Sequence, residues 1–204
     1  MTLYNKKLKT FTQKTSSTIV YRVDFFISKL FVKLRNKVFT LLFKIFSILG
    51  DWWASFIFTL VILFFNVRLG TLILISQLIQ VILQKSIKKI FLRERPYIKD
   101  RFSIPRLILP PDKFSFPSGH TAGAFVLFFC INSYLPSISW IFLIIAILIG
   151  ISRIYLGVHY FTDVLSGVIL GFVAFEIGTV IVENTYKILN IPKYLNLFEK
   201  IFPV

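Results

Sequence analysis

The sequence has little cysteine and few acidic residues. Its single cysteine, Cys130, excludes an intramolecular disulfide, and the spacing of cysteine and histidine matches no zinc site. The 9 acidic residues are scattered, and Asp51, Glu94, Asp100 and Asp112 fall in predicted loops or at predicted helix ends. Because a divalent cation is usually held by several oxygen ligands together, the sequence predicts neither a metal site nor a cofactor.

Apolar and basic residues are abundant instead. Hydrophobic residues make up 56% of the 204 positions, 24 of them are phenylalanine, and the mean hydropathy is +0.77. Such a chain is typical of a membrane protein, and its length fits one domain. The net charge of +15 indicates an anionic partner. Nucleic acid is disfavoured because the basic residues flank apolar segments, which leaves membrane lipids or a phosphorylated substrate.

The first 50 residues are the most basic part. Residues 1–17 are polar and basic, with no apolar core typical of a secretory signal peptide, and we expect a mobile tail. Residues 18–50 predict an amphipathic helix lying in the membrane interface, with four lysines on one face: Lys29, Lys33, Lys37 and Lys44. The alternatives are a soluble amphipathic helix or, less favoured, a sixth span over residues 25–50.

Five apolar segments follow the amphipathic helix. They cover residues 52–67, 69–87, 118–135, 138–155 and 160–182. The predicted fold class is all-α, an integral membrane helical bundle of about five transmembrane helices plus the N-terminal interfacial helix. Residues 51–182 form the predicted membrane domain, and residues 183–204 a short amphipathic tail. The predicted location is the plasma or inner membrane, with several passes.

Polar residues within these spans are few. Gln77, Gln80, Gln84 and Lys88 follow steps of three and four, so we expect them on one helix face, towards protein or a wet cavity. Glu176 is the one obvious acid deep in a span, and we expect it to pair with a polar group on a neighbouring helix.

Three short clusters contain the residues suited to chemistry. Both histidines of the chain lie within them. The clusters are Lys88 with Arg95-Pro96, Pro117-Ser118-Gly119-His120, and Ser152-Arg153 with His159 and Asp163.

Positive charge and hydrogen-bond donors are what phosphoryl transfer requires. Lys88 and Arg95 are seven residues apart, so we expect both on one helix face, aimed at one anion. Arg153 adds a third cation. Ser118 and Gly119 open a predicted helix, where backbone N–H groups bind anions.

The two histidines suggest a nucleophile and an acid. His159 and Asp163 are four apart, so a carboxylate bonded to one ring nitrogen would leave the other nitrogen free to attack. His120 is then available as general acid. Taken singly, each cluster is more typical of structure than of catalysis. Their joint presence, each at the edge of an apolar span, favours catalysis without a metal.

In these motifs the chain resembles the type 2 phosphatidic acid phosphatase superfamily, membrane lipid phosphatases related in fold to vanadium haloperoxidases. The resemblance covers residues 88–163 directly and implies a core of six helices. It also implies roles: His159 as nucleophile forming a phosphohistidine, Asp163 as its partner and His120 as acid. The residues implied to bind phosphate are Lys88, Arg95, Ser118, Gly119 and Arg153.

The predicted function is therefore hydrolysis of a lipid phosphomonoester or diphosphate at the bilayer surface. The resemblance suggests phosphatidic acid, phosphatidylglycerol phosphate, undecaprenyl diphosphate or a lipid A phosphate. The alternatives are a lipid phosphotransferase and a non-catalytic binder of anionic lipid; a transporter has less support. The sequence indicates no oligomeric state.

Two arguments disagree about which side of the membrane the active site faces. The resemblance implies an active site facing away from the cytoplasm. However, 20 of the 24 lysines and arginines fall on the predicted active-site side, and the positive-inside rule would place them in the cytoplasm. We favour the outward orientation as the expectation.

Overall fold

The computed structural model describes residues 19–189, and this range folds as helices joined by short connections, except for the long loop of residues 100–118. Residues 1–17 and most of the predicted C-terminal tail lie outside the described range. The helices are α1 (Ile19–Lys33), α2 (Lys37–Leu49), α3 (Trp52–Phe65), α4 (Val67–Phe91), α5 (Pro96–Lys99), α6 (Gly119–Tyr134), α7 (Pro136–Tyr155) and α8 (Phe161–Ile188).

The ends of several helices follow from single residues. The Asn36 side chain accepts from the Phe39 N–H at the start of α2, and Asn66 accepts from the Leu69 N–H at the start of α4. Pro136 occupies the first turn of α7, where its missing N–H costs nothing. Asp51 precedes α3 in the capping position but makes no side-chain capping bond. Its carboxylate contacts His120 Nε2 instead.

The bundle is organised around α6, which packs against α4, α7 and α8. A core of aliphatic side chains joins α4, α6 and α8: Leu69, Leu72, Ile73, Val126, Ile131 and Val182. Gly171 allows the backbones of α8 and α6 to lie close together, because a Cβ there would lie 2.7 Å from the Ala122 carbonyl oxygen. Small residues at such contacts are typical of helix packing in membranes.

The exterior of the bundle is apolar. Three helices, α4, α7 and α8, are long and apolar enough to cross a membrane singly, and the α2–α3 pair, bent by 53°, passes the same test jointly. All five predicted apolar segments are helical; α3 and α6 are shorter, at 14 and 16 residues. The prediction of an integral membrane helical bundle is confirmed. Helix α8 continues to Ile188, past the predicted end at residue 182.

The N-terminal segment forms two helices where we predicted one. The chain breaks between α1 and α2, and Arg35 at the break donates to the Tyr155 and Pro105 carbonyl oxygens. Arg35 therefore ties this segment to the C-terminal end of α7, where a cation also favours the helix dipole. The four lysines of the predicted face are all exposed.

The polar stripe of α4 faces the bundle, as expected. Gln77 donates to the Ser55 hydroxyl and to the Gly123 carbonyl oxygen, and Gln80 is buried. Glu176 differs from our expectation: it is exposed on the outer face of α8, and residues 19–189 provide it with no hydrogen-bond or ion-pair partner.

Candidate active site

The fold brings the three sequence clusters to one end of the bundle. Arg95 from the first contacts Val158 and His159 of the third, with Nη1 donating to the Val158 carbonyl oxygen at 2.7 Å. The Ser118 N–H of the second donates to the Asp163 carbonyl oxygen at 3.0 Å. All eight predicted site residues therefore lie in one connected region.

Lys88 and Arg95 meet by a different route from the one we predicted. They do not share a helix face, because α4 ends at Phe91 and Leu92 takes a left-handed conformation with φ of 48°. The chain turns there, and Arg95 lies at the start of the short helix α5. The two cations nevertheless converge, since the turn directs both towards the loop that precedes α6.

The carboxylate of Asp112, in that loop, bridges the two cations. Lys88 Nζ lies 2.6 Å from one oxygen and Arg95 Nη2 lies 2.7 Å from the other. Partial burial alone would raise the pKa of Asp112, but the ion pairs with Lys88 and Arg95 outweigh it and lower that pKa. Asp112 is thus a charged carboxylate bound where the sequence predicts phosphate, and its side chain is 41% exposed.

The third cation, Arg153, is fully enclosed. It lies near the end of α7, and Nη1 donates to the Ser47 hydroxyl of α2. Its Nε is buried and has no hydrogen-bond acceptor within residues 19–189. A buried donor without an acceptor is costly, so Arg153 has capacity to bind an incoming anion.

The start of α6 supplies backbone donors. Ser118 is the N-cap, and its hydroxyl accepts from the Thr121 N–H and bonds the Thr121 hydroxyl. Because the first N–H groups of a helix have no intrahelical acceptor, those of Gly119 and His120 are left for a ligand. Gly119 lets the Gln84 amide of α4 pack against the start of α6, since a Cβ there would displace that side chain.

The tautomer of His159 follows from its contact with Arg95. Arg95 Nη1 lies 3.1 Å from His159 Nε2, and a guanidinium can only donate. Nε2 is therefore the unprotonated nitrogen, and its lone pair accepts the hydrogen bond from Arg95. The proton is on Nδ1, 3.5 Å from Asp163 Oδ2. This is ion-pair distance without hydrogen-bond geometry, and Nδ1 has no bonded partner in the described part of the chain.

The placement of this pair differs from the prediction in one respect. His159 precedes α8, and Asp163 lies in the first turn of that helix, where its carboxylate also accepts from the Tyr160 N–H at 2.8 Å. The pair is thus built on a helix start and not on a helix face. Burial, with Arg95 and Arg153 nearby, lowers the pKa of His159 well below its usual range. The imidazole is neutral at physiological pH, as a nucleophile must be.

His120 faces a partner that we had not assigned to the site. Its Nε2 lies 2.8 Å from the Asp51 carboxylate, at the break between α2 and α3. An adjacent carboxylate orients the ring. His120 and Asp51 are less buried than His159 and Arg153, so the region opens on their side.

Sequence reasoning missed the acidic partners of the site. Asp51 pairs with His120, and Asp112 pairs with both Lys88 and Arg95. Asp24 pairs with Arg93. The available signal was scarcity: in a chain with 9 acids and 24 bases, each acid near an apolar span is a probable counterion. No group of three or more metal-ligating side chains occurs within residues 19–189.

A family model described as the PAP2 superfamily matches residues 65–187, which include all three clusters. The chain belongs to the PAP2 superfamily. The resemblance stated from the motifs is thereby confirmed. The range matched by the family model covers α4 to α8 almost completely, whereas α1, α2 and most of α3 lie outside that range.

Individual PAP2 relatives match parts of the chain. It is 37% identical over 87 residues to the bacitracin transport permease protein BcrC of Bacillus licheniformis, covering 43% of this chain and 41% of that protein. It is 35% identical over 111 residues to the undecaprenyl-diphosphatase of Sulfolobus acidocaldarius, covering 51% and 50%. The chain thus spans about half the length, or less, of these relatives.

Similarity to a solved structure is more extensive. The transmembrane PAP2 type phosphatidylglycerolphosphate phosphatase from Bacillus subtilis matches with a TM-score of 0.67 at 29% identity. The match covers 92% of this chain and 96% of that one, which supports the membrane-embedded helical architecture described above.

The position of Asp112 generates a prediction for anion binding. Because its carboxylate neutralises Lys88 and Arg95, an incoming phosphate must displace it. We expect Asp112→Asn to bind inorganic phosphate more tightly by about 5-fold, the equivalent of one partly exposed ion pair. Calorimetric titration of the detergent-purified protein measures this. Asp100→Asn is the matched control, since Asp100 bonds the Ser103 N–H in the same loop. Weaker binding by Asp112→Asn would contradict the displacement.

Proposed function

We propose that the protein is a membrane-integral phosphatase that hydrolyses a lipid phosphomonoester or diphosphate through a phosphohistidine intermediate. The observation on which this rests is the contact between Arg95 and His159. It leaves His159 Nε2 unprotonated beside a guanidinium that can bind phosphate oxygens. A protein that only binds anionic lipid requires the cations but not this arrangement.

We assign phosphate recognition to the positive charge around His159 Nε2. Lys88, Arg95 and Arg153 provide three cations, all buried. The N–H groups at the start of α6 add uncharged donors. A phosphoryl group in transfer spreads negative charge over its equatorial oxygens, so donors fixed in advance stabilise it with little reorganisation.

The first step forms a bond between His159 Nε2 and phosphorus as the ester or anhydride P–O bond breaks. Asp163 stabilises the positive charge that develops on the imidazole and holds its Nδ1–H. His120 is assigned to donate a proton to the leaving oxygen. Its pairing with Asp51 supports that role, because the carboxylate fixes the orientation of the ring.

The second step releases phosphate. Water attacks phosphorus, His120 accepts the proton from that water, and the P–N bond breaks to regenerate neutral His159. The same side chain thus acts as acid and then as base, as reversible proton transfer requires. No metal is needed, because the negative charge is balanced by the three cations.

A lipid is the substrate class that suits the surroundings. The site lies at one end of a bundle whose exterior is apolar, so the acyl or isoprenoid chain can remain in the bilayer while the headgroup reaches the cations. Two similar proteins, an undecaprenyl-diphosphatase and a phosphatidylglycerolphosphate phosphatase, are consistent with this class. Phosphatidic acid and lipid A phosphates belong to the same chemical class.

We also propose that the site faces away from the cytoplasm, as the family resemblance suggests. The count of basic residues argues against this. However, several of the bases at this end bind protein groups and not lipid headgroups, namely Arg35, Lys88, Arg93, Arg95 and Arg153.

Phosphate release tests the proposed activity. With EDTA present, we expect the purified protein to release phosphate from at least one of four lipids: phosphatidic acid, phosphatidylglycerol phosphate, undecaprenyl diphosphate or lipid A. His159→Ala should reduce kcat at least about 10³-fold, because it removes the side chain assigned as nucleophile. Lys88→Ala should be severely impaired, while Lys89→Ala, its exposed neighbour, should match wild type. A requirement for metal, or activity retained by His159→Ala, would refute the mechanism.

Cysteine labelling tests the proposed orientation. In a Cys130→Ser background, Phe102→Cys lies on the active-site end at a position 99% exposed, and Ile188→Cys lies at the opposite end of α8. We expect a membrane-impermeant maleimide to label Phe102→Cys in intact cells and Ile188→Cys only after permeabilisation. The reverse pattern would place the active site in the cytoplasm.

A further inference from the structure

Helix α1 contributes a buried carboxylate to the active-site end of the bundle. Asp24 is 0% exposed, although most of α1 is on the surface and Ser28 is its only other buried residue. A charged group is rarely buried unless it is paired, because its desolvation costs several kcal/mol. Asp24 therefore requires partners, and all of them lie next to the nucleophile pair.

Both oxygens of Asp24 are used. Oδ2 lies 2.5 Å from Arg93 Nη2 and accepts from the Thr162 hydroxyl, and Oδ1 accepts from the Thr162 N–H at 2.9 Å. Thr162 is in the first turn of α8, so Asp24 caps that helix from a separate element of the chain. A carboxylate at a helix start is also favoured by the helix dipole.

Arg93 joins Asp24 to the catalytic carboxylate. Its Nη1 lies 2.6 Å from Asp163 Oδ1 and 2.7 Å from the Thr162 hydroxyl, while Nη2 binds Asp24. Its guanidinium also lies 4.3 Å from the centre of the Tyr160 ring, which fixes its plane. The guanidinium is held between two carboxylates, and a continuous series of contacts runs from Asp24 through Arg93 and Asp163 to His159.

We propose that Asp24 is a positioning residue for the reaction: acting through Arg93, it sets the orientation of Asp163 and so of the His159 ring. This extends the proposed function and rests on it. Asp24 lies outside residues 65–187, the part that the family model matches, so the nucleophile is oriented partly by a segment beyond the family's shared region.

The proposal predicts a specific kinetic defect for Asp24→Asn. The amide keeps one acceptor oxygen and no charge, so either Arg93 or the Thr162 N–H loses its acceptor and the ion pair that holds Arg93 is removed. Arg93 can then turn, and Asp163 is held less firmly. We expect kcat to fall about 100-fold, the effect of misplacing a reacting group by about 1 Å, with KM little changed. Asp24 touches none of the phosphate-binding cations, which is why KM is spared. Ser28→Ala, the other buried side chain of α1, is the matched control and should behave as wild type.

A double-mutant cycle tests whether Asp24 acts through Arg93. If it does, Asp24→Asn combined with Arg93→Gln should lose no more activity than Arg93→Gln alone. Losses that multiply would overturn the proposal. Should Asp24→Asn fail to fold, Thr162→Val and Thr162→Ser replace it. A loss of kcat in the valine variant but not in the serine variant supports the network. Wild-type kcat in both variants overturns it.

Nuclear magnetic resonance of the two histidines separates this inference from the proposed activity. With ¹⁵N-histidine labelling, His120→Gln leaves His159 as the single signal, observed in detergent without lipid substrate. We expect one fixed tautomer, with the proton on Nδ1, in the otherwise wild-type protein. Adding Asp24→Asn should give exchange between tautomers. An unchanged His159 signal in folded Asp24→Asn overturns the inference, whether or not the protein releases phosphate.

Discussion

The site depends on the guanidinium of Arg95. Its side chain is almost fully buried and makes four contacts, with the Asp112 carboxylate and carbonyl oxygen, the Val158 carbonyl oxygen and the His159 ring. These contacts join the start of α5, the loop before α6 and the segment before α8. Because arginine cannot accept a hydrogen bond, they also fix which nitrogen of His159 is unprotonated. The contacts between these segments and the tautomer of His159 therefore both depend on the Arg95 side chain.

The second constraint is the balance of buried charge. Four arginines and lysines lie at the active-site end with little solvent, and the scarce acids of the chain are placed against them. Asp112 is the most exposed of these acids and the one that contacts two phosphate-binding cations. Asp24 and Asp163 are fully enclosed and share Arg93. The acid that we expect phosphate to displace is thus the exposed one, and the two enclosed acids are paired with Arg93.

The sequence predicted the helices well because apolar length and periodicity report directly on a membrane environment. It predicted which residues gather at one end of the bundle, because the two histidines and their neighbours form compact motifs. It failed where partners are distant: Asp24 and Arg93 are 69 residues apart, as are Asp51 and His120, and no local pattern links them. The shared helix face of Lys88 and Arg95 was wrong because the left-handed turn at Leu92 has no glycine or asparagine to signal it.

The central claim is that His159 Nε2 attacks phosphorus. The most direct test is rapid-quench trapping with a lipid labelled with ³²P in its terminal phosphate, followed by peptide mapping of the alkaline-stable, acid-labile adduct. The account predicts a transient phosphoryl group on Nε2 of His159, accumulating further when His120→Gln slows its hydrolysis. A phosphoryl group on Nδ1 or on His120, or full turnover with no covalent adduct, would contradict it.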